Sequence, residues 1–256
     1  MKKYVISALI CGAIAAASTA WSFTGPQARP PVLNAIEANG VSGLKEFKVN
    51  GELRGFAGLA GQEPIAVYVG KDGNAIVGTR ITAAGEPMDT KAIDELVRKP
   101  AGELALKRLE SSRWIQDGKA DAPRVIYVIT DPNCPWCHRL SAAARPWVSS
   151  GKVQLRHLLV GVIRADSEAK AAAILTSPKP QEALQQNERD FDKGGIAALK
   201  TISNETKQVL RENVTLMSEL GFRGTPALVY RGPQGAVEML SGFPQGAQMQ
   251  QVFGPQ

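Results

Sequence analysis

The sequence predicts an α+β chain in which two units are joined by a helix. Three observations carry this. Residues 44–81 alternate apolar and polar in short runs, after one amphipathic helix. Residues 88–115 change to a helical period. Residues 125–130 then form an apolar β-type run, VIYVIT, which stops at Asp131-Pro132 and leads into Cys134-Pro135-Trp136-Cys137 and a helix-forming segment.

Residues 1–20 have the pattern of a secretory signal peptide. Lys2 and Lys3 make the positive region, residues 4–17 the apolar core, and Ser18-Thr19-Ala20 the small-residue cleavage site. The run is short for a membrane span. Cys11 lies inside it, and the bulky Ile10 before it argues against lipoprotein processing. Cys11 should leave with the signal, so the mature chain keeps Cys134 and Cys137 of its 3 cysteines. An exported chain meets an oxidising compartment, yet it has no scaffold of disulfides. Losing Lys2 and Lys3 lowers the formal charge from +6 to +4. The basic residues are dispersed, with no run of them, which reads as a solvated surface and argues against nucleic-acid binding.

Residues 21–31 are a Pro- and Gly-bearing lead-in. Val32, Leu33 and Ile36 share a helical face, and Asn39-Gly40 is a C-cap signal. Strands are expected at 44–49, 53–59, 65–69 and 75–81, with Lys71-Asp72-Gly73-Asn74 as a hairpin turn. This small unit, residues 21–87, has a limited core and an open sheet edge that a second copy would protect. Residues 88–115 follow as a connecting helix, capped by Asp89 or Thr90 and interrupted at Lys99-Pro100-Ala101-Gly102. Leu104, Leu106 and Leu109 resume an apolar stripe. An ordinary packed helix and a semi-rigid arm between domains are both open readings of it.

The second unit, residues 116–256, begins with the 125–130 strand and the cysteine-bearing helix, which Arg145-Pro146-Trp147 should kink or end. A strand is expected at 153–159, then a mostly helical stretch at 166–220 broken at Pro178-Lys179-Pro180 and Gly194-Gly195. Strands at 227–230 and 236–240, joined by a hairpin at 232–235, and a helix near 246–252 close the chain. Strand, helix, strand, two antiparallel strands and a helix is the thioredoxin order, with a helical insertion.

The chemistry follows from the position of Cys134 at a helix mouth. Backbone N–H groups there lack partners within the helix, and the helix dipole adds positive potential. Both favour thiolate. A free cysteine titrates near ~8.5, and one in this position commonly falls to ~3.5–7.5. Cys134 is therefore the expected exposed attacking thiolate and Cys137 its more buried partner, the two forming a redox disulfide. Trp136 offers an apolar contact. Gly224-Thr225-Pro226 precedes a strand, where a cis X–Pro bond would present Thr225 backbone groups to an extended substrate beside Cys134. His138 could shift the thiol pKa, but an exposed histidine with no role is the simpler reading.

Other readings of the motif remain. Cys134–His138 also spells the haem c attachment pattern, which the preceding buried strand and Pro135 disfavour. Zinc lacks ligands, since His138 and His157 are the only histidines. A dithiol oxidant resembling DsbA, and a dimeric holdase that shields exported clients with the cysteines incidental, stay open as rival functions. The dithiol itself exchanges the electrons, so neither cofactor nor metal is expected.

With these residues in view, the chain resembles the DsbC/DsbG family of periplasmic thiol:disulfide interchange proteins. The similarity is densest at residues 114–118, 121–125, 131–132, 134–137, 144–151, 153–155, 158–163 and 225–227, including the strings ARPWVSSGKVQLR and LLVGVI. The resemblance implies a homodimer, each protomer having a cystatin-like dimerisation domain, a linker helix and a thioredoxin-like catalytic domain. It also implies a dithiol kept reduced by the membrane protein DsbD. Disulfide isomerisation or reduction, rescue of sulfenylated cysteines and chaperone-like holding of exported clients are the activities it suggests. Trp136 stands where the family pattern has tyrosine, which keeps the aromatic ring and removes a hydroxyl.

Overall fold

A computed structural model describes residues 28–255 of the chain. The predicted signal peptide, with Cys11, lies outside the described residues. Helix α1 (Val32–Ala38) precedes a four-stranded antiparallel sheet of β1 (Val41–Phe47), β2 (Arg54–Ala60), β3 (Glu63–Val69) and β4 (Ala75–Val77), paired in that order. Alternation in β2 and β3 divides this sheet between two small cores. Phe56, Val67 and Val69 pack with Leu33 of α1, while Ala57, Ala66 and Tyr68 pack with Phe47 and Val97 on the other face. The predicted hairpin turn is present, with Gly73 at φ 82° and its N–H on the Gly70 carbonyl. The fourth strand is shorter than expected. It stops at Val77, and Ile76, Val77 and Ile81 are left 66%, 54% and 61% exposed.

The connecting segment is helical from Thr90 to Glu110, but as three pieces: α2 (Thr90–Ile93), a π turn (Asp94–Arg98) and α3 (Lys99–Glu110). Pro100 causes no break, because the turn before it widens to a π turn, and the Leu96 carbonyl that it cannot bond accepts from Lys45 Nζ at 3.3 Å instead. Asp89 does not cap the helix. Its carboxylate is taken by Arg80 and Tyr68 instead. Val97 packs under the first sheet, whereas Ala105 and Leu109 enter the core of the second unit. The second half of the connector is thus a packed helix. Leu104 is exposed and outside the stripe. Gly102 permits the approach of α3 to the second sheet, since a Cβ there would sit 2.7 Å from the Val237 Cβ.

The second sheet has the order β5 (Ile115–Asp117), β7 (Val153–Leu159), β6 (Arg124–Thr130), β8 (Ala227–Arg231), β9 (Val237–Ser241). Only β6 and β7 are parallel. They are joined through α4 (Pro135–Ser149), as a parallel pair requires a crossover. Strand β5 was not foreseen: the helical run ends at Glu110, and Ile115 opens a strand. Along β6, Ile126 and Val128 face α4 and α8 (Ala247–Phe253), and Tyr127 and Ile129 face α3 and α7 (Asn204–Glu219). Both faces are covered, so each of these side chains contributes roughly 1.5–3 kcal/mol by burial. Between β7 and β8 lie α5 (Ser167–Thr176), α6 (Pro180–Arg189), a short 3-10 turn and α7, the predicted insertion. Pro146 neither ends nor replaces the turn it sits in, and α4 continues to Ser149. Trp147, just after it, is anchored by core packing and by donating from Nε1 to the Gly254 carbonyl at 2.9 Å.

Candidate active site

Cys134 is the N-cap of α4, and Cys137 lies one turn inside it. Its Sγ accepts from the Cys137 backbone N–H at 3.3 Å. The same sulfur lies 3.2 Å from the Thr225 carbonyl oxygen, and the Thr225–Pro226 bond is cis. Strand β8 begins one residue later, so the two halves of the site are held by adjacent strands, β6 and β8. Both cysteines are free thiols.

The expected contrast in exposure is absent. Cys134 is 3% exposed and Cys137 4%. Cys134 is covered because the Thr225–Pro226 turn rests against its sulfur. What separates the two thiols is electrostatic. Cys134 is lowered to about 6, chiefly because the Cys137 thiol donates to it. Burial opposes this, and the Thr225 side chain and the N–H groups of Cys137 and Trp136 assist. Cys137 is driven far above the ordinary thiol range by burial, then by the neighbouring Cys134 sulfur. Thr225 acts on Cys134 in two directions. Its carbonyl accepts from the neutral thiol and disfavours the anion. Its hydroxyl, buried without another hydrogen-bond partner among the described residues, is the group placed to donate to a thiolate.

Trp136 is 47% exposed on the surface beside the thiols. Its ring meets Phe243 at 6.2 Å between centroids, and Arg139 lies over it at 4.5 Å. His138 is not idle. Its Nδ1 lies 3.0 Å from Glu188 and its ring stacks on Phe191 at 4.5 Å, tying the first turn of α4 to the insertion.

Sequence reasoning missed the buried polar framework behind the motif. Asp131, 1% exposed, accepts from the N–H groups of Asn133, Val162 and Ile163 and from the Ser167 hydroxyl, at 2.6–3.0 Å. Asn133 donates to Asp166 and Ser167 and accepts from Lys170, whose ammonium also reaches the Gly194 carbonyl at 2.7 Å. Asn187 donates to the Pro132 carbonyl. The residues preceding Cys134 are therefore fixed side chain by side chain to the insertion. Gly161 lets the 160–163 loop close on α5, because a Cβ there would meet the Glu168 Cα at 2.4 Å. Only Asp131-Pro132, as a strand stop, hinted at this framework; its donors are spread over 36 residues.

Farther off, Asp117 on β5 is bonded by Arg145 and lies 3.6 Å from His157 Nε2. Burial opposes its ionisation, but His157 and Arg145 together hold its carboxyl well below the usual carboxylate range. A cleft of about 850 Å³ between α3 and the sheet, lined by Glu103, Arg124 and Arg231, shares no residue with the cysteine site. Among the described residues, no helix is long and apolar enough to cross a membrane.

Comparison with known proteins agrees with this geometry. A model of the thioredoxin-like domain matches residues 115–254. The thiol:disulfide interchange protein DsbG of Pseudomonas aeruginosa is 37% identical over 233 residues, covering 91% of this chain and 91% of the relative. The protein of that name from Escherichia coli K12 is 38% identical over 226 residues, covering 88% and 91%. Among solved structures, the catalytic domain of Proteus mirabilis ScsC aligns with a TM-score of 0.48 at 21% identity, over 60% of this chain and 96% of that one, a likeness too distant to carry an argument.

Proposed function

This chain belongs to the DsbG family of thiol:disulfide interchange proteins, and from that membership we propose a periplasmic disulfide reductase and isomerase working through Cys134 and Cys137. The single observation that carries the assignment of roles is the seating of the Cys134 sulfur at the start of α4, where it accepts the Cys137 N–H at 3.3 Å beside the Thr225 turn; this draws Cys134 down to about 6, while burial pushes Cys137 upward. Near neutral pH Cys134 is mostly thiolate, and Cys137 keeps its proton.

The Cys134 thiolate attacks one sulfur of a client disulfide. A bond forms between that sulfur and Sγ, the client S–S bond breaks, and the departing client thiolate takes a proton from solvent. Two exits follow. In reduction, Cys137 loses its proton and attacks Sγ, closing the Cys134–Cys137 disulfide and releasing the second client thiol. In isomerisation, another client thiolate attacks the mixed disulfide, and Cys134 leaves again as thiolate. Its low pKa makes it a good leaving group. On a sulfenylated client the same attack expels the hydroxyl, which leaves as water with a proton. Trp136, Thr225 and Pro226 form the seat of the client chain, with Thr225 offering main-chain groups. A DsbD-like membrane reductant would return the disulfide to dithiol.

The division into a dimerisation unit at 21–87, a linker at 88–115 and a catalytic unit at 116–256 belongs to the same reading. Exposed Ile76, Val77 and Ile81 at the short β4 edge support a homodimer through the first sheet. The test is the thiol state of Cys134 and Cys137 in freshly isolated cells, read by alkylation and gel shift, together with recovery of native pairing in a scrambled multi-disulfide protein. A mostly reduced pair with recovery is the expected result. A mostly oxidised pair that donates its disulfide rapidly would mean an oxidant.

A further inference from the structure

Arginines that look scattered along the chain lie on loops that meet the cysteine motif. Three loops converge there. The first is the opening turn of α4, where Arg139 lies over exposed Trp136 at 4.5 Å. The second is the β7–α5 loop, whose Val162 and Ile163 N–H groups bond the Asp131 carboxylate at 2.6 and 3.0 Å. Arg164 is the next residue, with its own N–H on Ser167 Oγ, and that hydroxyl bonds Asp131 as well. The third is the turn before β8, where Arg223 stands two residues ahead of Thr225, whose carbonyl touches Cys134 Sγ. Arg139, Arg164 and Arg223 are all exposed, and none makes a side-chain ion pair among the described residues.

Most acidic groups in these loops are already engaged; Glu168, packed against Gly161 and partly exposed, makes no ion pair among the described residues and opposes the three arginines. Asp131 is buried among four donors, and Asp166 is paired with Lys170 and bonded by Asn133. Glu188 faces His138. The positive end of the α4 dipole adds to the same side. Between the arginines stand apolar Trp136, Val162 and Ile163, each between 45% and 47% exposed.

We infer that this surface is a specificity collar, selecting extended client segments that carry acidic side chains next to the cysteine under attack, with an apolar residue seated on Trp136 or on Val162–Ile163. The inference rests on the proposed exchange reaction at Cys134. An arginine collar attracts an acidic segment before the sulfurs meet, and it repels a basic one. Such steering acts on the rate of encounter and weakens with salt.

The test uses reduced full-length protein and three short disulfide-linked peptides with Glu, Gln or Lys on both sides of the cysteine, the rate being read by quenched-flow alkylation. The ratio of the Glu rate to the Lys rate is the measured quantity, because a change in the Cys134 pKa alters both equally. The expected ratio is roughly tenfold or more at low ionic strength, falling toward unity in high salt. In the triple variant Arg139→Glu, Arg164→Glu, Arg223→Glu the ratio should invert. Should that variant fail to fold, the single variants, each expected to lower the ratio, decide the matter. Equal Glu and Lys rates in the wild type, or a preference unchanged in the variants, would overturn the collar while leaving the exchange reaction standing. Failure to react even with the Gln peptide would overturn both.

Discussion

The two sheets of this molecule solve the same problem to different extents. The five-stranded sheet is covered on both faces, and Ile126, Val128 and Ile129 are 0–1% exposed. Among the described residues, the four-stranded sheet has a short helix and the start of the connector to cover it, and its last strand is three residues long with apolar side chains in solvent. A sheet with a complete core is a rigid mount on which a sulfur can be placed within a few tenths of an ångström of its partners. An incomplete one is material for an interface. The division of labour we propose rests on this contrast: chemistry on the second sheet, association on the first.

That comparison can be broken at several points. The largest effect is expected from Cys134→Ser, which should lower disulfide exchange roughly a thousandfold or more, because the remaining thiol is held protonated. Cys137→Ser should instead accumulate mixed disulfides with clients, visible on non-reducing gels. If the first variant traps and the second does not, the two roles are reversed. On the other sheet, Ile76→Asp with Val77→Asp should weaken self-association about a hundredfold or more, read by sedimentation, since two exposed apolar side chains would no longer be buried between protomers. A wild-type protein that sediments as a monomer would remove the basis for that interface.

A smaller effect is expected within the rigid mount. Asp131→Ala leaves three backbone N–H groups without their acceptor, at a cost of about 2–4 kcal/mol, or roughly 5–15 °C in Tm. A change within the error of the melt would mean that the framework behind Cys134 contributes nothing to stability. The remaining effect, of similar size at most, is the pH dependence of stability. The Cys134 thiol is depressed from about 9 to about 6 on folding, so it contributes stability to the reduced protein fully above pH 9, and loses that contribution as pH falls through 6. Urea unfolding of the reduced form should show this dependence between pH 6 and 9. The disulfide form has no such group and should lack the cysteine component; identical profiles would contradict it.

Much of the site was legible because it is local. A strand, a stop, two cysteines three apart and a helix form one continuous segment, and Thr225-Pro226 announces itself before β8. The apolar run of β6 and the breaks in the insertion were legible for the same reason. Other features depend on contacts that spacing does not encode. Strand β5 has three residues, too few to show a period. Cys134 was expected at the surface as an attacking thiolate at a helix mouth, and it is Thr225, 91 residues away, that covers it. Pro100 and Pro146 read as breaks, yet the first is accommodated by the π turn before it and the second is outweighed by the packing of Trp147 and Val148. The Asp131 framework draws on Asn133, Ser167 and residues of the 162–163 loop, and no pattern in the sequence joins them.

The central claim is that the start of α4, the Cys137 thiol and the Thr225 turn hold one sulfur as an anion near neutral pH. The most direct measurement is the rate of Cys134 alkylation by iodoacetamide across pH 4–10, in wild type and in Cys137→Ala. A wild-type midpoint near 6, moving upward when the donating thiol is removed, is the predicted result. A midpoint near ~8.5, that of an ordinary cysteine, or one indifferent to Cys137, would contradict it.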